Sequence, residues 1–235
     1  MAKEVGLNAE VVEGGALDYV LVTPEGFAPG GSWPLVVMLH GFGANMYDLA
    51  SLAPAIDPAG YVYAFPNAPY GLMGMGGFSW SANRPGAVEL AGPERSVEER
   101  LEATSAEMME RTGASTGNVV LGGFSQGAGL TLTHGLVRPE TFAGLLVLSG
   151  FFRDAEDVRP KLPVERAQPI FLVHGRQDPV VPIEQGRETR VFLETAGYAP
   201  EYHEYDMPHS ITPDVIRDLV PWLHRVLPPE ASMLS

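Results

Sequence analysis

The sequence predicts one α/β domain over residues 1–235, a mostly parallel central sheet with helices on both faces. Three observations predict it. Short apolar and β-branched runs alternate with segments of helical period, the pattern of strands joined by crossover helices. Several runs are apolar at every position, as strands covered on both faces must be. One such run, Val119-Val120-Leu121, leads directly into Gly123-Phe124-Ser125-Gln126-Gly127 and then a helical stretch, a sharp strand-to-helix step.

The elements follow in order. Residues 9–13 and 17–23 flank Gly14-Gly15 and read as an N-terminal hairpin. Leu35–Leu39 is a continuous apolar run, and 61–65, 119–124, 145–149 and 170–173 repeat its character. Residues 202–205 form a more polar strand, placed nearer an edge. Between the strands lie helices. The stretch 96–112 opens on the capping-box pattern Ser96-Val97-Glu98-Glu99 and stops at Gly113. Another, 125–137, ends before Pro139; a third, 183–196, ends at Gly197; a fourth, 212–226, precedes Pro228-Pro229. The exception is the stretch 66–95, rich in Gly and Pro and carrying Leu72, Met73, Met75, Phe78 and Trp80. Large apolar side chains on a long irregular segment suit either an adaptable pocket wall or a loop packed on the core. The stretch 150–169 is too short to hold a separate cap domain.

Composition narrows the function. With 235 residues, 45% of them hydrophobic, the chain can bury a substantial core. A net charge of −14 argues against nucleic acid, which needs clustered Lys and Arg, and disfavours polyanionic substrates at long range. Only Lys3 and Lys161 are lysines. There is no cysteine, so disulfides, thiolate metal sites and a Cys nucleophile are excluded. The N-terminus lacks the basic and apolar segments of a signal peptide, and no apolar run is long enough for a transmembrane segment. A cytoplasmic protein is expected.

The chemistry centres on Ser125. A serine hydroxyl is a poor nucleophile until a tight turn exposes it and a base takes its proton, and strand–GxSxG–helix is the signature of such an elbow. The flanking glycines leave room across the turn. A histidine base and an orienting carboxylate should follow in the order Ser, acid, His, each on a loop after a strand. Asp178 lies just past 170–173, and His209, which follows it by 31 residues, lies just past 202–205. The runner-up acid is Asp154, after 145–149; Asp206 is too close to His209 in sequence for a comfortable approach. Among the other histidines, His40 and His174 end strands and read as anchors, while His134, His203 and His224 sit within elements. An oxyanion needs preorganised N–H donors. The amide of Gln126, at a helix N-terminus, is one candidate. Phe42, between Gly41 and Gly43, is the other, unless that stretch is a plain turn. It is no phosphate loop, for it lacks GxxxxGK[ST].

At this point the residues resemble a known group. Leu39-His40-Gly41-Phe42-Gly43, Phe65-Pro66-Asn67-Ala68-Pro69, Leu121-Gly122-Gly123-Phe124-Ser125-Gln126-Gly127, Leu148-Ser149-Gly150 and His174-Gly175-Arg176-Gln177-Asp178-Pro179-Val180-Val181-Pro182 are similar to the phospholipase/carboxylesterase family of bacterial carboxylesterases and acyl-protein thioesterases. The blocks run in order from about residue 35 to 210. The resemblance implies an α/β-hydrolase fold without a cap, no cofactor or metal, and hydrolysis of carboxylic esters. It implies Ser125 as nucleophile, Asp178 as acid, His209 as base, Phe42 and Gln126 as oxyanion donors, and Trp80 as an aromatic of the pocket loop. Two departures stand out: Pro208 where the family often has Gly, and Ala128 for a second Gly after the elbow.

The reading is a serine carboxylesterase acting on short to medium acyl chains, with Leu72, Met73, Met75, Phe78 and Trp80 lining the acyl pocket. The expected partner is a small-molecule ester; a homodimer stays open. The alternative keeps the chemistry and changes the substrate, as a thioesterase or lysophospholipase acting on longer chains. A peptidase of this fold lacks its gating domain here, a silent binding protein would lack triad members, and a metal enzyme would show ligand spacing such as HExxH.

Overall fold

The computed structural model describes residues 6–13, 15–90, 95–153 and 155–230. Its strands, in chain order, are β1 (Leu7–Val12), β2 (Tyr19–Pro24), β3 (Leu35–Leu39), β4 (Val62–Pro66), β5 (Tyr70–Leu72), β6 (Phe78–Ser79), β7 (Ala87–Glu89), β8 (Val119–Phe124), β9 (Gly144–Leu148), β10 (Ile170–Gly175) and β11 (Glu201–Tyr205). Helices are α1 (Ala53–Ile56), α2 (Val97–Thr112), α3 (Gln126–Gly135), α4 (Ala155–Val158), α5 (Ile183–Thr195) and α6 (Pro213–Val226). Eight strands form the central sheet in the order β1-β2-β4-β3-β8-β9-β10-β11. From β4 to β11 every neighbouring pair is parallel; β2 is the one reversed strand of this sheet, antiparallel to β1 on one side and to β4 on the other.

The apolar runs are explained by what each face meets. Along β3, Leu35, Val37 and Leu39 join one core cluster while Val36 and Met38 join the other. The same alternation places Leu145 and Val147 of β9 on one side and Leu146 and Leu148 on the other. Residues two apart share a face, so a strand covered on both sides must be apolar throughout. The first cluster is closed by Leu101 and Met108 of α2, Leu132 of α3 and Phe192 of α5; the second by Ile56 of α1 and Leu219 and Trp222 of α6. The polar β11 forms one edge of the sheet, half-buried along its length.

Helix ends match their sequence signals closely. Ser96 caps α2 with both bonds of the capping box, and Gly113 closes it in the left-handed region at φ 73°. The hairpin pairs Val12, one residue before the expected strand end at 13, with Tyr19, two residues past the expected start at 17; Gly14 lies outside the described residues. The largest difference is 66–95. Instead of a structureless excursion it folds into a second sheet, with β5 between β6 and β7, both antiparallel to it. Strands of two and three residues carry no usable period, so the sequence pattern could not show them.

His134, on α3, has a measurable consequence for stability. Its side chain is buried against Phe142, neither ring nitrogen has a hydrogen-bond partner among the described residues, and burial pushes its pKa down to about 3. The unfolded chain therefore binds a proton on His134 below its ordinary value of 6.5 while the folded protein refuses it. Stability attributable to this neutral ring is complete above that pH and falls as the pH drops, by roughly 2 kcal/mol at pH 5. Denaturant melts at pH 7 and pH 5 should show a smaller loss for His134→Leu than for the native protein. An identical loss in both would place the acid sensitivity elsewhere.

Candidate active site

The parallel register brings the carboxyl ends of five strands to one edge of the sheet. Leu39 lies opposite Gly123, Phe124 opposite Leu148, Leu148 opposite Val173, and Gly175 opposite Tyr205. The segments that follow them, holding Phe42, Ser125, Ser149, Asp178 and His209, therefore emerge side by side, where open α/β sheets place ligands.

Ser125 sits at the step from β8 to α3 with φ 55° and ψ −115°. Among the described residues only it and Ser149 are non-glycine residues at positive φ. Such a backbone costs about 1–3 kcal/mol and persists only where its surroundings over-determine it. Here they do. The Ser125 N–H donates to Leu148 O at 2.9 Å, and α3 starts at the next residue. The glycines of the pentapeptide answer to space: a Cβ on Gly123 would strike the Gly127 backbone, and one on Gly127 would strike the carbonyls of Leu39 and His40. The Ser125 hydroxyl makes no hydrogen bond among the described residues.

Asp178 and His209 are joined directly. His209 Nδ1 donates to Asp178 Oδ2 at 2.6 Å, while Asp178 Oδ1 accepts the N–H groups of Val180 and Val181, both at 2.8 Å. The carboxylate is fully shielded from solvent. With Nδ1 carrying the proton, Nε2 of His209 keeps its lone pair. The imidazole packs on the ring of Phe124, the residue before Ser125, at 4.6 Å. His174 secures the acid's loop through Nε2–H to Val181 O at 2.7 Å. The base's loop is tied to β10: Gln177 N–H donates to Met207 O at 3.2 Å. A Cβ on Gly175 would strike Met207 O. Asp206 faces away, paired at 2.8 Å with the exposed Arg176. Asp154 lies outside the described residues. His203 pairs with Glu201 and His224 with Asp57, so neither serves this edge.

The segment after β3 lies against the elbow, for a Cβ on Gly41 would come within 3.4 Å of Ser125 Cβ. No acceptor among the described residues takes the N–H of Phe42 or Gln126. That of Gln126 is free because the first helical amides have no partner one turn back. His40 holds the segment in place. Its Nε2 accepts the Ala68 N–H at 3.1 Å, so Nδ1 is the protonated nitrogen and donates to Gly41 O at 2.7 Å. Its carbonyl accepts Trp80 Nε1–H at 2.8 Å, and burial lowers the ring's pKa, keeping it neutral. The Gln126 side chain reaches the small sheet, accepting Trp80 N–H at 3.0 Å and donating to Ser79 Oγ at 3.2 Å.

Above Ser125 opens a cleft of about 940 Å³ bounded by Phe42, Trp80, Gln126, Phe151, Val181 and Phe192. Of the five expected pocket residues only Trp80 lines it. Leu72 is buried beneath the small sheet, Phe78 packs on the core, and Met73 and Met75 point to solvent at 74% and 66% exposure. The turn between β5 and β6 carries the two methionines away from the cleft. The opposite wall, from Phe151 to Arg153 after β9 and from α5, went unanticipated. Its signal is positional: like Ser125, it follows the carboxyl end of a parallel strand.

Comparison with known proteins agrees with this architecture. The family model described as Phospholipase/Carboxylesterase matches residues 31–227. Acyl-protein thioesterase 1 of Mycosarcoma maydis is 32% identical over 215 residues, covering 81% of this chain and 90% of that protein. The protein of the same name from Kluyveromyces lactis is 29% identical over 216 residues, covering 82% and 92%. Arabidopsis thaliana SOBER1, a carboxylesterase by name, superposes with a TM-score of 0.67 at 27% identity, over 82% of this chain and 98% of that one. The Bacillus cereus carboxylesterase shares the fold at 19% identity, with a TM-score of 0.68 over 89% of this chain and 94% of its own. The fold is that of the α/β-hydrolases, and the chain belongs to the phospholipase/carboxylesterase family, serine hydrolases that act on carboxylic esters.

Proposed function

We propose that the protein is a carboxylesterase for small esters of short to medium acyl chains, working through an acyl-serine intermediate. The observation that carries the reading is the Asp178–His209 pair, held at 2.6 Å beside a serine in a strained left-handed backbone. Asp178 fixes the His209 tautomer, so Nε2 accepts the Ser125 proton as Oγ attacks the ester carbonyl. The free hydroxyl turns toward the imidazole as substrate enters, since catalytic hydrogen bonds tighten in the complex. The amides of Phe42 and Gln126 receive the oxyanion, each worth about 3 kcal/mol in the transition state. His209 then protonates the leaving alcohol, and water, deprotonated by the same imidazole, releases the acid.

The cleft supports the acyl range. Phe42, Phe151 and Phe192 supply apolar wall, but Arg84, Gln185 and Glu188 share it, and a long chain would leave those groups desolvated and unpaired. The second reading is hydrolysis of longer acyl esters or thioesters, favoured by the names of the fungal relatives. A chain-length series of aryl esters and thioesters tests both. Turnover is expected to peak at short to medium chains, and kcat/KM still rising beyond about ten carbons would favour the second reading. A fluorophosphonate probe should label Ser125, read by peptide mass spectrometry; labelling at another residue would overturn the mechanism.

A further inference from the structure

Arginine placement in this acidic chain is selective. Among the described residues, nine of the thirteen arginines pair with a carboxylate. Of the other four, Arg84 and Arg153 both line the cleft that holds Ser125. Arg84 lies between β6 and β7, with its guanidinium 5.4 Å above the ring of Phe42. Its Nε is buried with no hydrogen-bond partner among the described residues. That nitrogen is shielded, but the two terminal guanidinium nitrogens make no hydrogen bond or ion pair among the described residues, and the cleft that Arg84 lines gives an anion access to them. Arg153 lies over the Phe151 ring at 5.2 Å and is exposed.

Two acids also line the cleft, Glu98 and Glu188, and both are exposed. Together with a net charge of −14 they oppose an anion at long range. Recognition therefore has to be local, at the half-buried Arg84. Stacking on Phe42 pre-orders its planar fork for a carboxylate, the pairing guanidinium makes best.

We propose that Arg84 selects esters carrying a carboxylate a few bonds from the scissile carbonyl, recognised at the Phe42 side of the cleft. This rests on the esterase reading above, because it names that site's substrate class. The test uses matched pairs of aryl esters, hemiglutarate against butyrate for an acyl-side charge, and 4-carboxyphenyl against phenyl acetate for a leaving-group charge. The anionic-to-neutral ratio of kcat/KM is expected to exceed one in one arm, and which arm tells where the charge sits. Arg84→Gln should lower that ratio by about 10- to 100-fold, the worth of a charge-assisted hydrogen bond, with partial recovery in Arg84→Lys. Damage to the Phe42 loop would slow both members and leave the ratio in place. A ratio unmoved by Arg84→Gln in both arms overturns the proposal. Calorimetry with Ser125→Ala protein reads the same preference without chemistry: in the arm that shows the kinetic preference the anionic ester should bind more tightly than its neutral partner, and equal binding within both pairs overturns the proposal. If turnover fails while that binding preference persists, the esterase reading falls and the anion site stands.

Discussion

Replacing Ser125 with alanine is expected to lower ester turnover by at least about 10⁴-fold, leaving only what the oxyanion donors and binding contribute. The thermal melting point should move by no more than a few degrees, because the hydroxyl makes no hydrogen bond among the described residues and Ala can occupy the same strained turn. Steady-state hydrolysis of a short aryl ester, with a circular dichroism melt, separates the two effects. Turnover within tenfold of the native protein, in a folded variant, would remove Ser125 from the mechanism.

The second large effect is expected at Asp178. Asp178→Asn preserves shape and leaves an oxygen for the N–H groups of Val180 and Val181, which now lie 2.8 Å from Oδ1. The amide NH₂ then faces Nδ1 of His209 and forces the proton onto Nε2, where the lone pair is needed. The loss should be about 10⁴-fold in kcat, the scale of a wrong-tautomer histidine. Asp206→Asn, whose partner is Arg176, should change kcat by less than about threefold. Asp154→Asn is the informative companion, because a loss there equal to that of Asp178→Asn would move the acid to the loop after β9.

Much of this was legible in the sequence for a physical reason. A strand covered on both faces must be apolar throughout, so β3, β8, β9 and β10 announce themselves. A turn as sharp as that at Ser125 admits no side chain at Gly123 or Gly127, so the elbow leaves a local mark. Asp178 and His209 were legible by position, just past the ends of strands that had already been found. What the sequence hides depends on contacts between distant segments. The small sheet is built from strands of two and three residues, and it turns Met73 and Met75 outward although their composition suggests a pocket. The wall at Phe151 and the stacking of Arg84 on Phe42 join residues whose neighbours in sequence say nothing of their neighbours in space.

The strand order sets a distance that the catalytic groups have to cross. Ser125 ends β8 and His209 follows β11, three places along the sheet, so their origins stand about 14 Å apart at the usual strand spacing. An imidazole cannot reach that far by itself; its loop has to travel back over the ends of the strands between. A glycine stands at each of those ends. Beyond β9 stands Gly150, where a Cβ would come within 2.8 Å of Ser125 O, and β10 closes on Gly175, where one would meet Pro208 O at 2.8 Å. A methyl group on Gly175 would push the base's loop outward at Met207 and Pro208, and one on Gly150 would press on Ala128 and on Ser125 O at the nucleophile's own turn.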